Sequence, residues 1–254
     1  MIRVFDFFTE DECDALDECY DKAKWHVGKM IFHAGMRSKE KKCDDKSNFE
    51  IPVKSASYAK CLNIFRGAIH RNGWFTKFTG LLSHTGPKFL RYREGGEYKY
   101  HHDSTWMDRL IYKSDGPTEV RTCYSDYSCT IFIGNPDDYD GGELNLDVSL
   151  DKSYSIPIKL KRGQLILYDT GIPHWVDKVT SGNRDVVVFW IQSTFQDPRV
   201  RHFNEKMVTF SQQMYDKLER NSDFYDTFHD GIQGLEYELK RNFSTRAQYR
   251  DGIQ

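Results

Sequence analysis

Long apolar runs are missing from this 254-residue chain, and no stretch approaches the length of a membrane-spanning helix. The six cysteines form no C-x-x-C pair, which favours reduced thiols over a disulfide scaffold. A strong charge of one sign is also lacking. The net charge is −2 and the pI about 6.5, whereas dedicated nucleic-acid binders are usually basic. Residues 1–5 lead into an acidic segment without a secretory signal. We therefore expect a soluble, cytoplasmic protein with no membrane partner and no nucleic-acid partner.

Internal repeats and low-complexity tracts are absent as well, so the helices and strands must be predicted from the pattern of apolar residues. Thr9 and Glu12 form a capping-box pattern that predicts the start of a helix running to about Lys24. A second helix is predicted over residues 56–72 from apolar residues at helical spacing. The charge-dense residues 37–48 are interpreted as a surface loop.

The central part of the chain alternates between apolar and polar residues, which predicts a series of strands. After Pro198 the pattern changes to helical spacing, and a further helix is predicted over residues 231–242. The strands are predicted at residues 4–8, 98–101, 129–133, 143–148, 154–160, 164–169 and 184–191, with a turn at 136–142 and a loop at 180–183.

A close pair of metal-ligand residues stands at the end of one predicted strand. Residues i and i+2 of an extended chain point to the same side, so His101 and Asp103 would aim at one point while His102 faces away. The alternative is a solvated strand end, because an H-x-D pattern alone has low specificity.

A second histidine and an arginine follow about seventy residues later along the chain. His174 comes directly after Pro173, and Arg184 opens an apolar run of β-forming residues. Taken singly, His174 is more simply interpreted as a core histidine and Arg184 as a surface arginine. An arginine directed into an apolar interior would instead need an anionic partner, and a carboxylate matches the guanidinium with two parallel hydrogen bonds.

These residues together predict a metal centre. Two histidines and one carboxylate form the facial triad that binds iron(II) and leaves open positions for other ligands. The order H-x-D, His and Arg across alternating strands is what a jelly-roll barrel needs to bring them into one pocket.

Several further segments strengthen this prediction, because the sequence resembles the iron(II)- and 2-oxoglutarate-dependent dioxygenases. Within them it is similar to the PKHD-type hydroxylases of the prolyl 4-hydroxylase-like branch. The segments that carry the resemblance include Asn-Pro-Asp-Asp-Tyr-Asp-Gly-Gly-Glu-Leu at 135–144, Gly-x-Leu-x-Leu-Tyr at 163–168 and Phe-Trp-Ile-Gln-Ser at 189–193. The resemblance covers residues 86–196, with weaker similarity towards both ends.

The resemblance implies a fold that is mainly β with flanking helices, a double-stranded β-helix or jelly-roll barrel. Residues 86–196 would form this dioxygenase barrel, with an N-terminal helical and strand region at 1–85 packed on it and a C-terminal helical extension at 197–254. The resemblance makes His101, Asp103 and His174 the ligands of Fe(2+). It makes Arg184 the partner of the distal carboxylate of 2-oxoglutarate and places Tyr92 near this co-substrate.

The activity implied is hydroxylation of a C–H bond with O2, giving succinate and CO2, with ascorbate as a possible further requirement. The substrate would be a prolyl or other residue of a protein or peptide. One alternative is a nucleic-acid-modifying dioxygenase of the same barrel class, against which the acidic pI argues. The other is a non-catalytic, cupin-like metal-binding protein, which would have no need of Arg184. The oligomeric state stays open.

One segment departs from the family pattern, and one residue leaves two interpretations open. Residues 104–127 are longer and more polar than expected, and we interpret them as a loop, too long for a hairpin connection, that either shapes the substrate cleft or is a plain insertion. Trp190 lies at an even spacing from Arg184 and so either faces the same pocket or is a core aromatic residue.

Overall fold

The computed structural model describes residues 1–28, 45–111, 119–220 and 222–244. Its backbone forms two compact units. The first consists of Met1–Arg71 and His84–Ile191, and the second of Asn72–Ser83 together with the described residues after Ile191. In the described chain, no helix combines the length and apolar character that crossing a membrane requires.

The described residues form five α-helices and fifteen strands. The helices are α1 (Glu10–Asp21), α2 (Ala56–Arg71), α3 (Gly73–Thr79), α4 (Pro198–Tyr215) and α5 (Asp223–Phe243), with a short 3-10 turn at Pro136–Asp138. The strands are β1 (Ile2–Asp6), β2 (His26–Val27), β3 (Phe49–Glu50), β4 (Leu81–His84), β5 (Lys88–Arg93), β6 (Tyr98–His101), β7 (Trp106–Ile111), β8 (Glu119–Tyr124), β9 (Tyr127–Phe132), β10 (Tyr139–Gly141), β11 (Leu144–Asp147), β12 (Ser155–Ile158), β13 (Gln164–Asp169), β14 (His174–Val176) and β15 (Val179–Ser193).

The first unit is built on two sheets. The larger one runs in the order β1-β13-β9-β15-β5-β3-β2, with β10 added on β15, and the smaller one runs β12-β11-β14-β6. Their strand pairs are antiparallel. The predicted fold class, mainly β with flanking helices in a jelly-roll arrangement, is confirmed, although the two sheets stay separate within the described residues and do not close into a barrel.

Both sheets contribute to one apolar core. Leu90, Phe132 and Val186 enter it from the larger sheet, and Leu146 and Val176 from the smaller one, all of them buried. This two-layer packing follows from the period-two alternation of the strands, since each sheet buries the face that it turns towards the other.

Helices α1 and α2 pack on the larger sheet. The Tyr20 hydroxyl of α1 donates to the Val186 carbonyl at 2.9 Å, and the Phe65 ring of α2 lies 4.9 Å from that of Phe189. The predicted capping box of Thr9 and Glu12 is confirmed, and the helix that it opens ends at Asp21, somewhat before the predicted end.

Three local predictions are wrong. Residues 106–111 and 119–124 form an antiparallel pair of strands, β7 and β8, where a loop was predicted. Residues 180–183 do not form a loop; they extend β15, because β10 pairs with them. Residues 139–141 of the predicted turn at 136–142 form the strand β10. The central residues of the first segment, 112–118, lie outside the described residues, as do 37–44 of the predicted charged loop.

The helices predicted after Pro198 are confirmed as α4 and α5, the latter beginning earlier than predicted. The three-part division at residues 85 and 196 stays a prediction.

Candidate metal centre

The two histidines of the candidate site face each other across a strand pair. His101 ends β6, His174 begins β14, and the two are direct partners in the register of the smaller sheet. Their ring centroids lie 4.3 Å apart. The Tyr98 ring stacks on His101 at 3.7 Å, and the Tyr168 ring meets His174 edge-on at 5.3 Å. Each imidazole is therefore held in place by contact with a neighbouring tyrosine ring.

Backbone carbonyls set the orientation of both imidazoles. The Nδ1 atom of His101 lies 2.7 Å from the Lys99 carbonyl oxygen, and that of His174 lies 3.0 Å from the Ile172 carbonyl oxygen. A carbonyl only accepts hydrogen bonds, so each Nδ1 must carry the proton and donate. In the neutral ring this leaves the Nε2 lone pair free for a metal ion, the arrangement by which outer partners orient metal-binding histidines.

The Asp103 carboxylate completes the cluster. Its Oδ1 lies 3.8 Å from His101 Nε2, and its Oδ2 lies 3.6 Å from His174 Nε2. Oδ2 accepts hydrogen bonds from Ser128 Oγ at 2.7 Å and from Trp190 Nε1 at 2.9 Å. Oδ1 accepts none from the part of the chain that the structure describes, so it is the oxygen available to a metal ion.

The spacing of these donors fits a single ion. One donor atom from each of His101, Asp103 and His174 lies within 4.8 Å of the others. Two donors on one ion are separated by no more than about twice a metal–ligand distance, or about 4 Å, and the separations of the Asp103 oxygens from the two histidine Nε2 atoms fall inside this limit. His102, the neighbour that was expected to face away, is exposed and outside the cluster.

Burial also favours the protonation state that a metal ion needs. It lowers the pKa of His101 to about 4, and the neighbouring His174 acts in the same direction. The imidazole is therefore neutral at pH 7 and can donate its lone pair. Two imidazoles and one carboxylate are the donor set suited to iron(II).

Arg184 lies on β15 with its side chain 1% exposed. Its guanidinium carbon stands 5.1 Å from the centre of the Tyr92 ring and 5.3 Å from that of Phe132. No carboxylate of the described residues forms an ion pair with it, and its Nε has no hydrogen-bond partner among them. A buried guanidinium without a counter-ion is costly, so this position suits an anionic ligand.

Tyr92, on β5, is the direct cross-strand partner of Arg184 and is itself buried. Burial raises the pKa of its hydroxyl, so Tyr92 is a neutral phenol at pH 7. The structure thus brings Tyr92 and Arg184 together in the apolar core, as it brings the two histidines and Asp103 together at the end of β6.

Comparisons with known proteins identify the family of this chain. Residues 87–192 match the family model of the 2OG-Fe(II) oxygenase superfamily. A PKHD-type hydroxylase of Stenotrophomonas maltophilia (strain R551-3) is 30% identical over 198 residues, which cover 78% of this chain and 80% of the relative. Another from Caulobacter sp. (strain K31) is 32% identical over 203 residues, covering 79% and 82%. The chain belongs to the PKHD-type hydroxylases.

Membership makes this PKHD-type hydroxylase a dioxygenase, and the family implies Fe(2+) and 2-oxoglutarate as its requirements. Among solved structures, a prolyl hydroxylase from Trichoplax adhaerens in complex with a hypoxia inducible factor peptide fragment has a TM-score of 0.50 and 12% identity. It covers 81% of this chain and 86% of that one, which supports the shared fold.

Sequence analysis missed the hydrogen-bond donors that hold Asp103. Ser128 and Trp190 are direct partners in the register between β9 and β15, so both side chains reach the same oxygen. The even spacing of Trp190 from Arg184 was the available signal. Of the two interpretations left open, the structure supports the one in which Trp190 faces the pocket.

Proposed function

We propose that this PKHD-type hydroxylase binds iron(II) through His101, Asp103 and His174 and uses 2-oxoglutarate to hydroxylate a C–H bond of a protein or peptide. The observation that carries the proposal is the pairing of two features in one unit. Three donor atoms converge with their lone pairs available, and a buried guanidinium lacks a carboxylate partner among the described residues. A metal-binding protein without a co-substrate would need only the first feature.

Each residue has a defined task in this proposal. Arg184 binds the distal carboxylate of 2-oxoglutarate, with its charge held between the rings of Tyr92 and Phe132. Ser128 and Trp190 hold Oδ2 of Asp103, which leaves Oδ1 directed at the ion. When bound, iron(II) with 2-oxoglutarate and O2 supplies the oxidising power for hydroxylation, and succinate and CO2 are the co-products.

A prolyl residue of a protein or peptide is the substrate class that we favour. The Trichoplax adhaerens neighbour is a prolyl hydroxylase with a bound peptide fragment, and its fold is shared over most of this chain. The net charge of −2 speaks against a nucleic-acid substrate. We further propose a cytoplasmic location, and dependence on ascorbate as a reductant that keeps the iron in its ferrous state.

The test is iron-dependent formation of succinate from 2-oxoglutarate in air by protein prepared without oxygen. His101→Ala should abolish it by removing a ligand, whereas His102→Ala should leave it unchanged, because His102 is exposed and outside the cluster. This pair compares the same substitution at adjacent positions.

Equal loss in both variants would refute the ligand assignment, as would succinate formation by His101→Ala at the wild-type rate. For the substrate class, a library of proline-containing peptides and matched alanine peptides should give hydroxylated products only from the former. Hydroxylation of a non-prolyl residue in both sets of peptides would support the dioxygenase activity but contradict the prolyl substrate class.

A further inference from the structure

The hydroxyl group of Tyr139 is a buried polar group without a hydrogen-bond partner in the part of the chain that the structure describes. Tyr139 is the first residue of β10, and its side chain is 3% exposed. Its hydroxyl forms no hydrogen bond with any residue that the structure describes. Most buried polar side-chain atoms are hydrogen-bonded, since leaving one unpaired costs free energy. Because this hydroxyl lies beside a proposed ligand site, we expect it to hydrogen-bond the ligand.

The ring of Tyr139 is held firmly in place. Lys159 donates from Nζ to the Tyr139 carbonyl oxygen at 2.7 Å, and the same ammonium lies 4.1 Å from the ring centre. On the other side, Tyr139 pairs with Gly182 of β15. Gly182 has a φ of +73°, and a Cβ there would lie 2.2 Å from the Asp138 carbonyl oxygen, so only glycine allows this close approach.

Gly142 shows how close Tyr139 comes to Arg184. A Cβ built at Gly142 would lie 3.0 Å from Cδ of Arg184 and 3.3 Å from Cε2 of Tyr139. Both side chains therefore border the same small space, which is kept free by the missing side chain of Gly142. The pKa of Tyr139 reflects the same proximity. Burial raises it, the positive charge and the N–H groups of Arg184 oppose the rise, and the carboxylates of Glu143 and Asp185 add to it.

Two donors thus stand beside each other without partners among the described residues, the hydroxyl of Tyr139 and Nε of Arg184. We propose that the Tyr139 hydroxyl donates a hydrogen bond to the distal carboxylate of 2-oxoglutarate, next to Arg184. This inference rests on the proposed function and extends it. A carboxylate has two oxygens and about four acceptor positions, so it can accept from the guanidinium and the phenol together.

The role assigned to Tyr139 is discrimination between keto acids. A compound that carries the keto acid but ends in a methyl group, such as 2-oxopentanoate, would leave the hydroxyl and the guanidinium unpaired. Sites built to hydrogen-bond a ligand group reject analogues that lack it, because their own polar groups then stay buried without partners. Tyr139 would therefore contribute to the preference for the dicarboxylate.

The test is binding, measured without oxygen so that no turnover occurs. Iron(II)-loaded wild type and Tyr139→Phe are titrated with 2-oxoglutarate and with 2-oxopentanoate, and the visible charge-transfer absorption gives the dissociation constants. A hydrogen bond to a charged group contributes enough that the variant should bind 2-oxoglutarate about ten- to a hundredfold more weakly. Its affinity for 2-oxopentanoate should be unchanged.

Phenylalanine keeps the ring on Lys159, so the variant should fold. Thermal unfolding without ligand tests whether the Tyr139 hydroxyl has a structural role. The midpoint of Tyr139→Phe should equal or exceed that of wild type, since an unpaired buried hydroxyl is removed. Tyr154→Phe is the control, because it removes a hydroxyl from an exposed tyrosine.

The outcomes separate this inference from the proposed function. An equal loss of affinity for both keto acids, or a lowered unfolding midpoint, would make Tyr139 a structural residue and overturn the inference. An unchanged affinity for 2-oxoglutarate would do the same while leaving the proposed function intact. No binding of 2-oxoglutarate by iron-loaded wild type would refute the proposed function itself.

Discussion

The indole Nε1 of Trp190 donates a hydrogen bond to Oδ2 of Asp103 at 2.9 Å, joining two residues that are 87 positions apart. The same oxygen accepts from Ser128, which lies opposite Trp190 in the register between β9 and β15. Asp103 follows the last residue of β6 by two positions and is not part of a strand. The larger sheet therefore fixes a carboxylate that the smaller sheet alone would leave free to rotate.

Trp190→Phe should lower the affinity for iron(II) about tenfold, the lower end of the range for losing an outer partner of a metal ligand. The ring is retained, but the donor to Asp103 is lost. Metal titration under anaerobic conditions measures this, and Trp106→Phe serves as the control, since Trp106 is 54% exposed on β7. Equal affinities of wild type and Trp190→Phe would show that Ser128 alone orients the carboxylate.

Removing the carboxylate of Asp185 should destabilise the protein strongly. Arg91 donates to its two oxygens from Nε at 2.7 Å and from Nη2 at 2.6 Å, across the β5–β15 pair that carries Tyr92 and Arg184. Breaking a buried pair leaves an uncompensated charge, so Asp185→Ala should lower the free energy of unfolding by about 3 kcal/mol.

Urea unfolding checks this, with Asp21→Ala as the matched control. Asp21 lies 3.7 Å from the same arginine but its side chain is 77% exposed, so its loss should cost less than about 1 kcal/mol. Similar effects in the two variants would mean that burial does not govern this ion-pair network.

Asp147 should make stability depend on pH in the acidic range. Burial raises the pKa of this carboxyl, but hydrogen bonds from Ser149, Tyr100 and the Lys152 backbone outweigh burial and lower it from 3.8 to about 2. The folded state therefore holds the proton more weakly than the unfolded state. The resulting stabilisation is fully present above the unfolded value and is lost as the pH falls from 3.8 towards about 2.

Asp147→Asn should accordingly be less stable than wild type near neutral pH, and the difference should shrink as the pH falls through this window. Urea unfolding at a series of pH values measures it. Asp230→Asn, which changes an exposed residue of α5, should differ little from wild type throughout. A difference for Asp147→Asn that stays constant down to a pH of about 2 would contradict the prediction.

Gly142→Ala should weaken 2-oxoglutarate binding. The φ of +69° is unfavourable for alanine by about 1–2 kcal/mol, and the new Cβ would meet the Arg184 side chain at 3.0 Å. Because the clash lies at Arg184 and away from the histidines, iron affinity should be retained. Gly171→Ala is the control, since a Cβ there meets nothing within 4 Å. Unchanged co-substrate affinity in Gly142→Ala would place the distal carboxylate elsewhere.

Local sequence patterns were sufficient where a structure depends on neighbours along the chain. The capping box at Thr9 and the helix over 56–72 follow from propensity and spacing, and α1 and α2 form there. His101 and Asp103 were predicted to share a side from their i, i+2 spacing, and their donor atoms do approach each other. The predicted role of these residues as iron ligands stays a prediction.

The ribbon of β7 and β8 shows where such patterns fail. Its strands pair only with each other among the described strands, and their sequences, WMDRLI and EVRTCY, lack the regular alternation of apolar and polar residues. Residues 180–183 are a second case. Their composition predicts a turn, but they extend β15, because Gly182 allows β10 to approach.

The sequence by itself determined the class of fold, the family and the order of the metal-binding residue types, because these depend on composition, periodicity and short motifs. Only the tertiary structure decided that Arg184 is buried without a counter-ion among the described residues, that Tyr139 lies beside it, and that Trp190 holds Asp103. These relationships come from the register of strands distant in sequence, and register is set by the packing of both sheets around one core.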